Sequence, residues 1–375
     1  MSFIENIKRL CIADFPIEGL AEEQIKLHSA VKLFLDSDEK QSEILLRELL
    51  AGSCDDEIRN IAAEILFSIL IWQDRFDELN AFGFPRNNEE AEQVMIYDIR
   101  DAEMLLSPEA VVADMPDFPW IQPVMTVQIN GKSCDLLIDT GALATIVTAS
   151  VVEHCNLTVE EKTIGVEAAT EGTLAAQAAR IDELTIGRSI IKGKRCVIIP
   201  DDALDFSAVG GPKIDGLIGW EVIKYLHWEI DYQNRKIKVR ASIPEDVKRN
   251  MCCDFFPMVK MTINEDETIV AGFDTGGIAT NWGKSMVARI SGAEQGEREM
   301  IGAGQSEPSL YSGYEVQAMS VDINDTQIVL QNAFILADSE YSKGRTLVQA
   351  GALGSDAARG KILVIDYPNR FLGIR

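Results

Sequence analysis

The 375-residue sequence has little of what metal sites, disulfide frameworks and membrane spans require. It contains three histidines, and its seven cysteines are an odd number with no CxxC spacing. These counts predict neither a structural zinc site nor a disulfide framework. The longest nearly apolar run, residues 65–72, is far shorter than a membrane span, and charged residues precede any apolar stretch at the N-terminus. We therefore expect reduced thiols, no metal site, no membrane partner and a cytoplasmic location.

Basic residues are also scarce. Lysine and arginine number 35 against 60 acidic residues, which gives a formal net charge of −25. Such a surface repels phosphate backbones and anionic headgroups, so nucleic acid is not an expected partner. Residues 1–118 carry the larger share of the excess negative charge, which indicates a domain boundary near their end.

The first part of the chain has the hydrophobic pattern of helices. Residues 1–105 are predicted to form a helical domain, and residues 106–119, with three prolines, a linker. Ser53 and Asp56 resemble a capping box at the start of the clearest helix. The apolar stripe of that helix comprises Ile58, Ile61, Ala62, Ile65, Leu66 and Ile69.

Beyond residue 120 the pattern changes to that of strands. Met125, Val127 and Ile129 alternate with polar neighbours and lead to Asn130-Gly131, which is a strong signal for a two-residue hairpin. The returning strand runs directly into Asp139.

An internal repeat follows at an offset of 135 residues. Asp-Thr-Gly-Ala-Leu-Ala-Thr at 139–145 returns as Asp-Thr-Gly-Gly-Ile-Ala-Thr at 274–280. A chain of this length should contain about 0.1 Asp-Thr-Gly tripeptides by chance. An alternative is a duplicated β-domain in which Asp-Thr-Gly is an ordinary tight turn. Two further matches at the same offset argue against it: residues 216–219 with 351–354, and residues 230–235 with 365–370.

Two carboxylates brought together by such a repeat have a defined chemistry. If Asp139 and Asp274 meet at a pseudo-twofold axis, they cannot both ionise at close range and must share a proton. The ionised partner can then deprotonate a water molecule while the protonated one polarises a peptide carbonyl.

The order of apolar strand, Asp-Thr-Gly, flap segment and apolar-apolar-Gly resembles the retropepsin-like aspartic peptidases, whose clan also contains the pepsins. Here both halves stand in one chain, and the sequence of each half resembles the retroviral and bacterial type more closely. The helical pattern predicts an all-α N-terminal domain, and the resemblance implies that an all-β, bilobal, retropepsin- or pepsin-like fold with internal pseudo-twofold symmetry follows it. The implied division is a first repeat at 120–241, a connector at 242–256 and a second repeat at 257–375.

The resemblance also assigns site residues. Asp139 and Asp274 are the implied catalytic pair. Their loops are supported by Thr140, Gly141, Ala142, Thr275, Gly276 and Gly277. The flaps that bind the substrate are expected within 166–175 and 303–313, with Ala168, Ala169, Thr170, Gly304, Gln305 and Ser306 as candidate contacts.

The function implied is that of an aspartic endopeptidase that binds an extended peptide or protein substrate, with hydrophobic side chains on both sides of the scissile bond. This reaction needs no metal or organic cofactor, and dimerisation should not be required for activity because both halves stand in one chain. Because Ala142 and Gly277 offer no hydroxyl to the ionised dyad, we expect a mildly acidic to near-neutral pH optimum.

Two other functions stay open at this point. The first is a catalytically weak or inactive retropepsin-like adaptor that binds peptides and uses the helical domain to select its partner. The second has the helical domain as an inhibitory segment over the cleft.

Other chemistry-bearing residues have simpler interpretations. His154 and Cys155 suggest a thiol protease, but no spacing links them to a distant partner. Cys252 and Cys253 are expected to be structural, and Asp231 and Asp366 are expected to cap hairpin turns.

Overall fold

The computed structural model describes residues 2–12, 15–79, 94, 98–116, 121–167, 173–207, 211–254, 256–264, 267–300, 309–341 and 345–375. These residues are mostly β-strand with a few helices. The helices are α1 Phe3–Lys8, α2 Glu22–Leu35, α3 Glu39–Ala51, α4 Asp56–Trp72, α5 Phe76–Leu79, α6 Ala149–Cys155 and α7 Trp220–Ile223. The strands are β1 Glu103–Leu105, β2 Val111–Asp114, β3 Val124–Ile129, β4 Lys132–Ile138, β5 Ile146–Thr148, β6 Thr158–Glu167, β7 Thr173–Ile186, β8 Ser189–Ile199, β9 Gly216–Ile218, β10 Leu226–Asp231, β11 Lys236–Ala241, β12 Met251–Cys253, β13 Pro257–Ile263, β14 Glu267–Phe273, β15 Asn281–Trp282, β16 Glu294–Met300, β17 Ser309–Ile323, β18 Thr326–Leu336, β19 Gly351–Leu353, β20 Ile362–Asp366 and β21 Phe371–Ile374.

Helix α4 follows the apolar stripe that the sequence predicts. All six stripe residues from Ile58 to Ile69 are buried, which is the expected outcome of apolar groups repeating on one helix face. The cap differs from the prediction, because the N-cap residue is Asp55, whose carboxylate accepts from the amide of Glu57 at 2.8 Å. Asp55 is also an acidic N-cap, so its charge favours the positive end of the helix dipole.

The first large sheet is built around β4 and β9. Its eight strands lie in the order β1-β8-β5-β9-β4-β3-β7-β6. The β3–β4 hairpin turns at Asn130 and Gly131, which both have positive φ, as the Asn-Gly signal predicts. Strand β9 pairs parallel to β4 and antiparallel to β5. It therefore lies between two strands that precede it in the chain.

The second large sheet repeats these pairings. Its order is β12-β13-β14-β19-β15-β18-β17-β16. Here β19 pairs parallel to β14 and antiparallel to β15, as β9 does with β4 and β5. Leu137 lies beside Leu217 in one sheet and Gly272 beside Ala352 in the other, each pair at the 135-residue offset.

A five-stranded sheet joins the two halves, with the order β2-β11-β10-β20-β21. Strand β10 from the first half pairs antiparallel with β20 from the second, from His227 opposite Asp366 to Asp231 opposite Ile362. The hairpin prediction for Asp231 is confirmed, because its carboxylate accepts from the amide of Asn234 at 2.8 Å. The two halves are therefore connected by backbone hydrogen bonds as well as by the chain.

Two short strands differ from the expected layout of the chain. Strand β1 lies at the end of the region predicted as helical, 1–105, and β2 lies within the predicted linker, 106–119. Each adds to an existing edge: β1 pairs with β8, and β2 pairs with β11. Prolines interrupt helices but are tolerated beside an edge strand, which explains why a proline-rich segment can still join a sheet.

The helices α1–α4 dock on the strands through a continuous core. Their buried apolar residues form one cluster with those of the sheets. Polar contacts also fix the docking. Ser68 donates to Asp254 Oδ1 at 2.6 Å, and Arg345 contacts both Glu64, at 2.7 Å, and Asp254, at 3.0 Å. Since these groups are mostly buried, removing the helices would expose both apolar surface and unpaired polar groups.

Candidate active site

Two equivalent strands end at the two aspartates. The amide of Asp139, directly after β4, donates to the carbonyl of Ile218 at 3.1 Å. The amide of Asp274, directly after β14, donates to the carbonyl of Leu353 at 2.8 Å. Each aspartate is therefore held by the neighbouring apolar-apolar-Gly strand, β9 or β19. This is the arrangement that the repeated motifs predict.

The two threonines link the loops to each other. The amide of Thr140 donates to Thr275 Oγ1 at 3.0 Å, and the amide of Thr275 donates to Thr140 Oγ1 at 3.0 Å. Each hydroxyl then donates across the interface, Thr140 to the carbonyl of Phe273 and Thr275 to the carbonyl of Ile138, both at 2.6 Å. Both side chains are almost fully buried, so every one of these groups depends on the other half of the chain for its partner.

The glycines after the threonines permit the close approach of the two loops. A Cβ added to Gly141 would lie 2.5 Å from Asp274 Oδ1, and one added to Gly276 would lie 2.5 Å from Asp139 Oδ1. Each glycine therefore lies against the carboxylate of the opposite loop, and a larger side chain would displace it. Gly277 is different, because its added Cβ would be 3.4 Å from the nearest atom, an ordinary contact.

Each carboxylate is oriented by its own loop. Asp139 Oδ1 accepts from the amides of Gly141, at 2.8 Å, and Ala142, at 3.2 Å. Asp274 Oδ1 accepts from the amides of Gly276, at 2.9 Å, and Gly277, at 3.0 Å. Burial raises the pKa of Asp139 well above its ordinary value, and the charge of Asp274 and a hydrogen bond with that side chain raise it further. The backbone donors oppose this shift without reversing it.

Behind the loops lies a second pair of carboxylates that sequence reasoning missed. Glu221 Oε1 accepts from the amide of Thr145 at 2.7 Å, and Asp356 Oδ2 accepts from the amide of Thr280 at 3.1 Å. Glu221 and Asp356 both stand two residues after the final glycine of the apolar-apolar-Gly motif, again 135 residues apart. That shared position is the signal that could have identified them as residues that hold the two aspartate-bearing loops.

The two halves support this second pair differently. Glu221 is fully buried and forms an ion pair with the equally buried Lys194 at 2.5 Å. Asp356 is half-buried and accepts from the Thr280 hydroxyl at 2.8 Å, and its pKa is raised by burial. Another contact joins the loops from outside the repeats: the side chain of Gln122 donates to the carbonyl of Gly276.

The remaining predicted residues are accounted for as follows. Ala142 accepts at its carbonyl from the amide of Trp220 at 2.7 Å, so it ties the first loop to α7. The six candidate flap contacts lie outside the described residues: Ala168, Ala169, Thr170, Gly304, Gln305 and Ser306.

Among the residues that the structure does describe, no group of three or more His, Cys, Asp or Glu is placed to hold a metal ion. Within the same residues, no helix combines the length and hydrophobicity needed to cross a bilayer.

The thiols that the sequence singles out, Cys155, Cys252 and Cys253, are buried. All seven cysteines are free. Burial raises the pKa of Cys155 and of its neighbour Cys134, whose sulfur atoms are 3.5 Å apart. Burial also raises the pKa of Cys252 and Cys253. A nucleophilic cysteine needs a lowered pKa and access to solvent, so none of these four fits a thiol protease.

Comparison with known protein families agrees with this geometry for the first of the two repeats. Residues 125–222 match a family model described as aspartyl protease. The chain is similar to that family there. The matched segment contains Asp139, the strand β9 behind it and Glu221, whereas Asp274 lies beyond it. No curated protein matches the chain.

Proposed function

We propose that this protein is an aspartic endopeptidase in which Asp139 and Asp274 form one shared-proton catalytic pair. The observation that carries the proposal is the contact of each loop glycine with the carboxylate of the other half. The raised pKa of Asp139 supports it, because a carboxyl that retains its proton next to an ionised one is what the reaction requires. The aspartyl protease match over 125–222 supports the same class of hydrolase.

The mechanism follows from the protonation of the pair. One aspartate, ionised, removes a proton from a water molecule while the other donates its proton to the carbonyl oxygen of the scissile bond. The water oxygen bonds to the carbonyl carbon and gives a tetrahedral diol. The aspartic acid formed in this step then donates its proton to the amide nitrogen while the other aspartate removes a proton from a diol hydroxyl. The C–N bond breaks, the carboxylic acid and amine products form, and the pair again holds a single proton. Since the titration belongs to both residues, we assign it to the dyad and not to either one.

The proposal includes the symmetry of the site and its confinement to one chain. The reciprocal threonine bonds and the repeated strand pairings support a pseudo-twofold axis between the two loops. We further propose that α1–α5 form an all-α N-terminal domain whose role is to stabilise the second half. Its polar contacts at Asp254 and Arg345 support a fixed docking.

Cleavage of a randomised peptide library between about pH 4 and pH 8 tests the proposal. The wild-type protein should cleave, and both Asp139→Asn and Asp274→Asn should not. Cleavage that survives either substitution would place the chemistry elsewhere. Binding of peptides without any cleavage by the wild type would favour the adaptor hypothesis.

A further inference from the structure

The two walls beside the dyad differ in polarity. Leu137 stands two residues before Asp139 at the end of β4, so both side chains lie on the same face of the sheet. A cluster of buried apolar residues lies on this side of the sheet. We call it the first wall, formed by Val124, Leu137, Ile199, Leu204, Ile214 and Leu217.

The corresponding surface in the second half is partly polar. Gly272 stands two residues before Asp274, and a Cβ added there would meet the ring of Phe256 at 2.2 Å and Gln349 Oε1 at 2.8 Å. The pKa of Tyr341 is raised by burial and by the negative charge of Asp274, so this phenol lies within electrostatic range of the second aspartate. We call this surface the second wall, formed by Phe256, Gly272, Asn281, Tyr341, Gln349 and Ala352.

Backbone pairing shows that the polar residues replace apolar ones at equivalent places. Ile214 donates its amide to the carbonyl of Leu204 at 3.2 Å, and Gln349 donates its amide to the carbonyl of Tyr341 at 2.9 Å. Gln349 thus occupies the place of Ile214, two residues before the Gly-apolar-apolar-Gly motif in each half.

A second replacement is found on the neighbouring strand. Ile146 lies opposite Leu217 in the first half, and Asn281 lies opposite Ala352 in the second. Asn281 therefore stands where the first half has a branched apolar side chain.

These two amides have unused acceptors. Asn281 Oδ1 and Gln349 Oε1 are buried, and neither accepts a hydrogen bond from any described residue. The orientation of Asn281 is fixed, because its Nδ2 donates to the carbonyl of Ala279 at 3.2 Å. Gln349 is only 4% exposed. Buried acceptors are costly unless they are paired, so two of them on the second wall point to a ligand that supplies donors.

We infer that the second wall selects a substrate side chain with N–H or O–H donors, first of all asparagine or glutamine, while the first wall selects an apolar one. Successive side chains of an extended peptide point to opposite sides, so the two residues that flank the scissile bond meet different walls. This departs from the expectation of hydrophobic residues on both sides. The inference rests on the proposed function, because it assumes that the cleft binds a peptide across the dyad.

Profiling the cleavage sites of the wild-type protein in a peptide library tests the inference. Asparagine or glutamine should be preferred over leucine by about tenfold or more in kcat/KM at one of the two flanking positions, with an apolar preference at the other. Asn281→Ile combined with Gln349→Ile gives the second wall the residues of the first, and should convert the polar preference to an apolar one. Gln327→Ile, an exposed glutamine on β18, is the matched control and should leave both preferences unchanged. Equal preference for leucine at both positions in the wild type would overturn the inference while leaving the proposed function intact.

A binding arm separates this inference from the proposed function. Fluorescent library peptides can be bound to Asp139→Asn, which retains both walls but should not turn over. If the wild type cleaves nothing, the proposed function is wrong, yet enrichment of asparagine or glutamine among the bound peptides would still support the second wall as a polar subsite. Binding of peptides with only apolar residues, or no binding at all, would overturn the inference.

Discussion

The amides of Thr140 and Thr275 each donate to the hydroxyl of the other residue at 3.0 Å, across the interface of the two halves. This pair joins residues 135 positions apart and holds the loops that carry the two aspartates. Because both side chains are buried, the interface depends on their hydrogen bonds more than on solvent-exposed contacts.

Thr140→Val should therefore destabilise the fold. The substitution keeps the shape of the side chain but leaves the amide of Thr275 and the carbonyl of Phe273 without this partner, at a cost of about 1–3 kcal/mol for each group. Denaturant unfolding measures the loss. Thr158→Val removes an exposed hydroxyl from β6 and should change the free energy of unfolding by less than about 0.5 kcal/mol. Equal effects of the two substitutions would contradict the role given to the threonine pair.

Gly276→Ala and Gly277→Ala form a matched pair of substitutions in the second loop. The first would place a Cβ 2.5 Å from Asp139 Oδ1, so it should displace that carboxylate and lower kcat by about 100-fold or more. The second would place its Cβ 3.4 Å from the nearest atom and only reproduces the alanine at position 142, so activity should be retained. Peptide hydrolysis measured on both variants checks the prediction, and loss of activity in Gly277→Ala alone would reject it.

Asp139→Asn should stabilise the fold at neutral pH. A carboxyl whose folded pKa is raised contributes stability that is fully present below its unfolded pKa, about 3.9, and lost as the pH rises through the folded value. Asparagine does not titrate, so the advantage of the variant in the free energy of unfolding should grow from about pH 4 upward. Thermal unfolding at several pH values tests this, with the exposed Asp325→Asn as control. An advantage that shrinks as the pH rises would show that the pKa of Asp139 is not raised.

Arg345→Met tests the docking of the helices. The guanidinium contacts Glu64 and the buried Asp254, and its loss leaves the Asp254 charge short of a partner, which should cost about 3–5 kcal/mol. The control is Arg375→Met, since the Arg375 side chain is 63% exposed and its partner Glu229 keeps Lys238 as a second cation. Loss of such an exposed cation should cost about 0–1 kcal/mol. Equal losses in the two variants would mean that the Arg345 cluster does not fix the helices to the second half.

The sequence predicts the two aspartate loops better than the docking of the N-terminal helices. The 135-residue offset identifies both aspartate loops and the strands behind them, because the close approach of the two loops requires glycine at 141 and 276. Glu221 and Asp356 are related by the same offset, but the sequence alone does not identify them because glutamate and aspartate differ in length. Only the hydrogen bonds to Thr145 and Thr280 show that the two carboxylates are equivalent.

The docking of the helices could not be predicted in this way. Arg345, Asp254 and Glu64 are single residues far apart in the chain, and no periodicity relates them. The polarity of the second wall was also missed, because Asn281 and Gln349 become informative only when the pairing of the strands is known. Proline content predicts a linker at 106–119 but does not reveal the strand β2 within it, since an edge strand tolerates nearby prolines.

The central claim is that Asp139 and Asp274 act as one catalytic unit. The most direct test is to measure kcat/KM for hydrolysis of one peptide by the wild type, Asp139→Asn, Asp274→Asn and the double variant. Residues that act as a unit are strongly non-additive, so each single variant should lose about as much activity as the double variant. Losses that multiply in the double variant would show that the two carboxylates act independently, and would contradict a shared-proton pair.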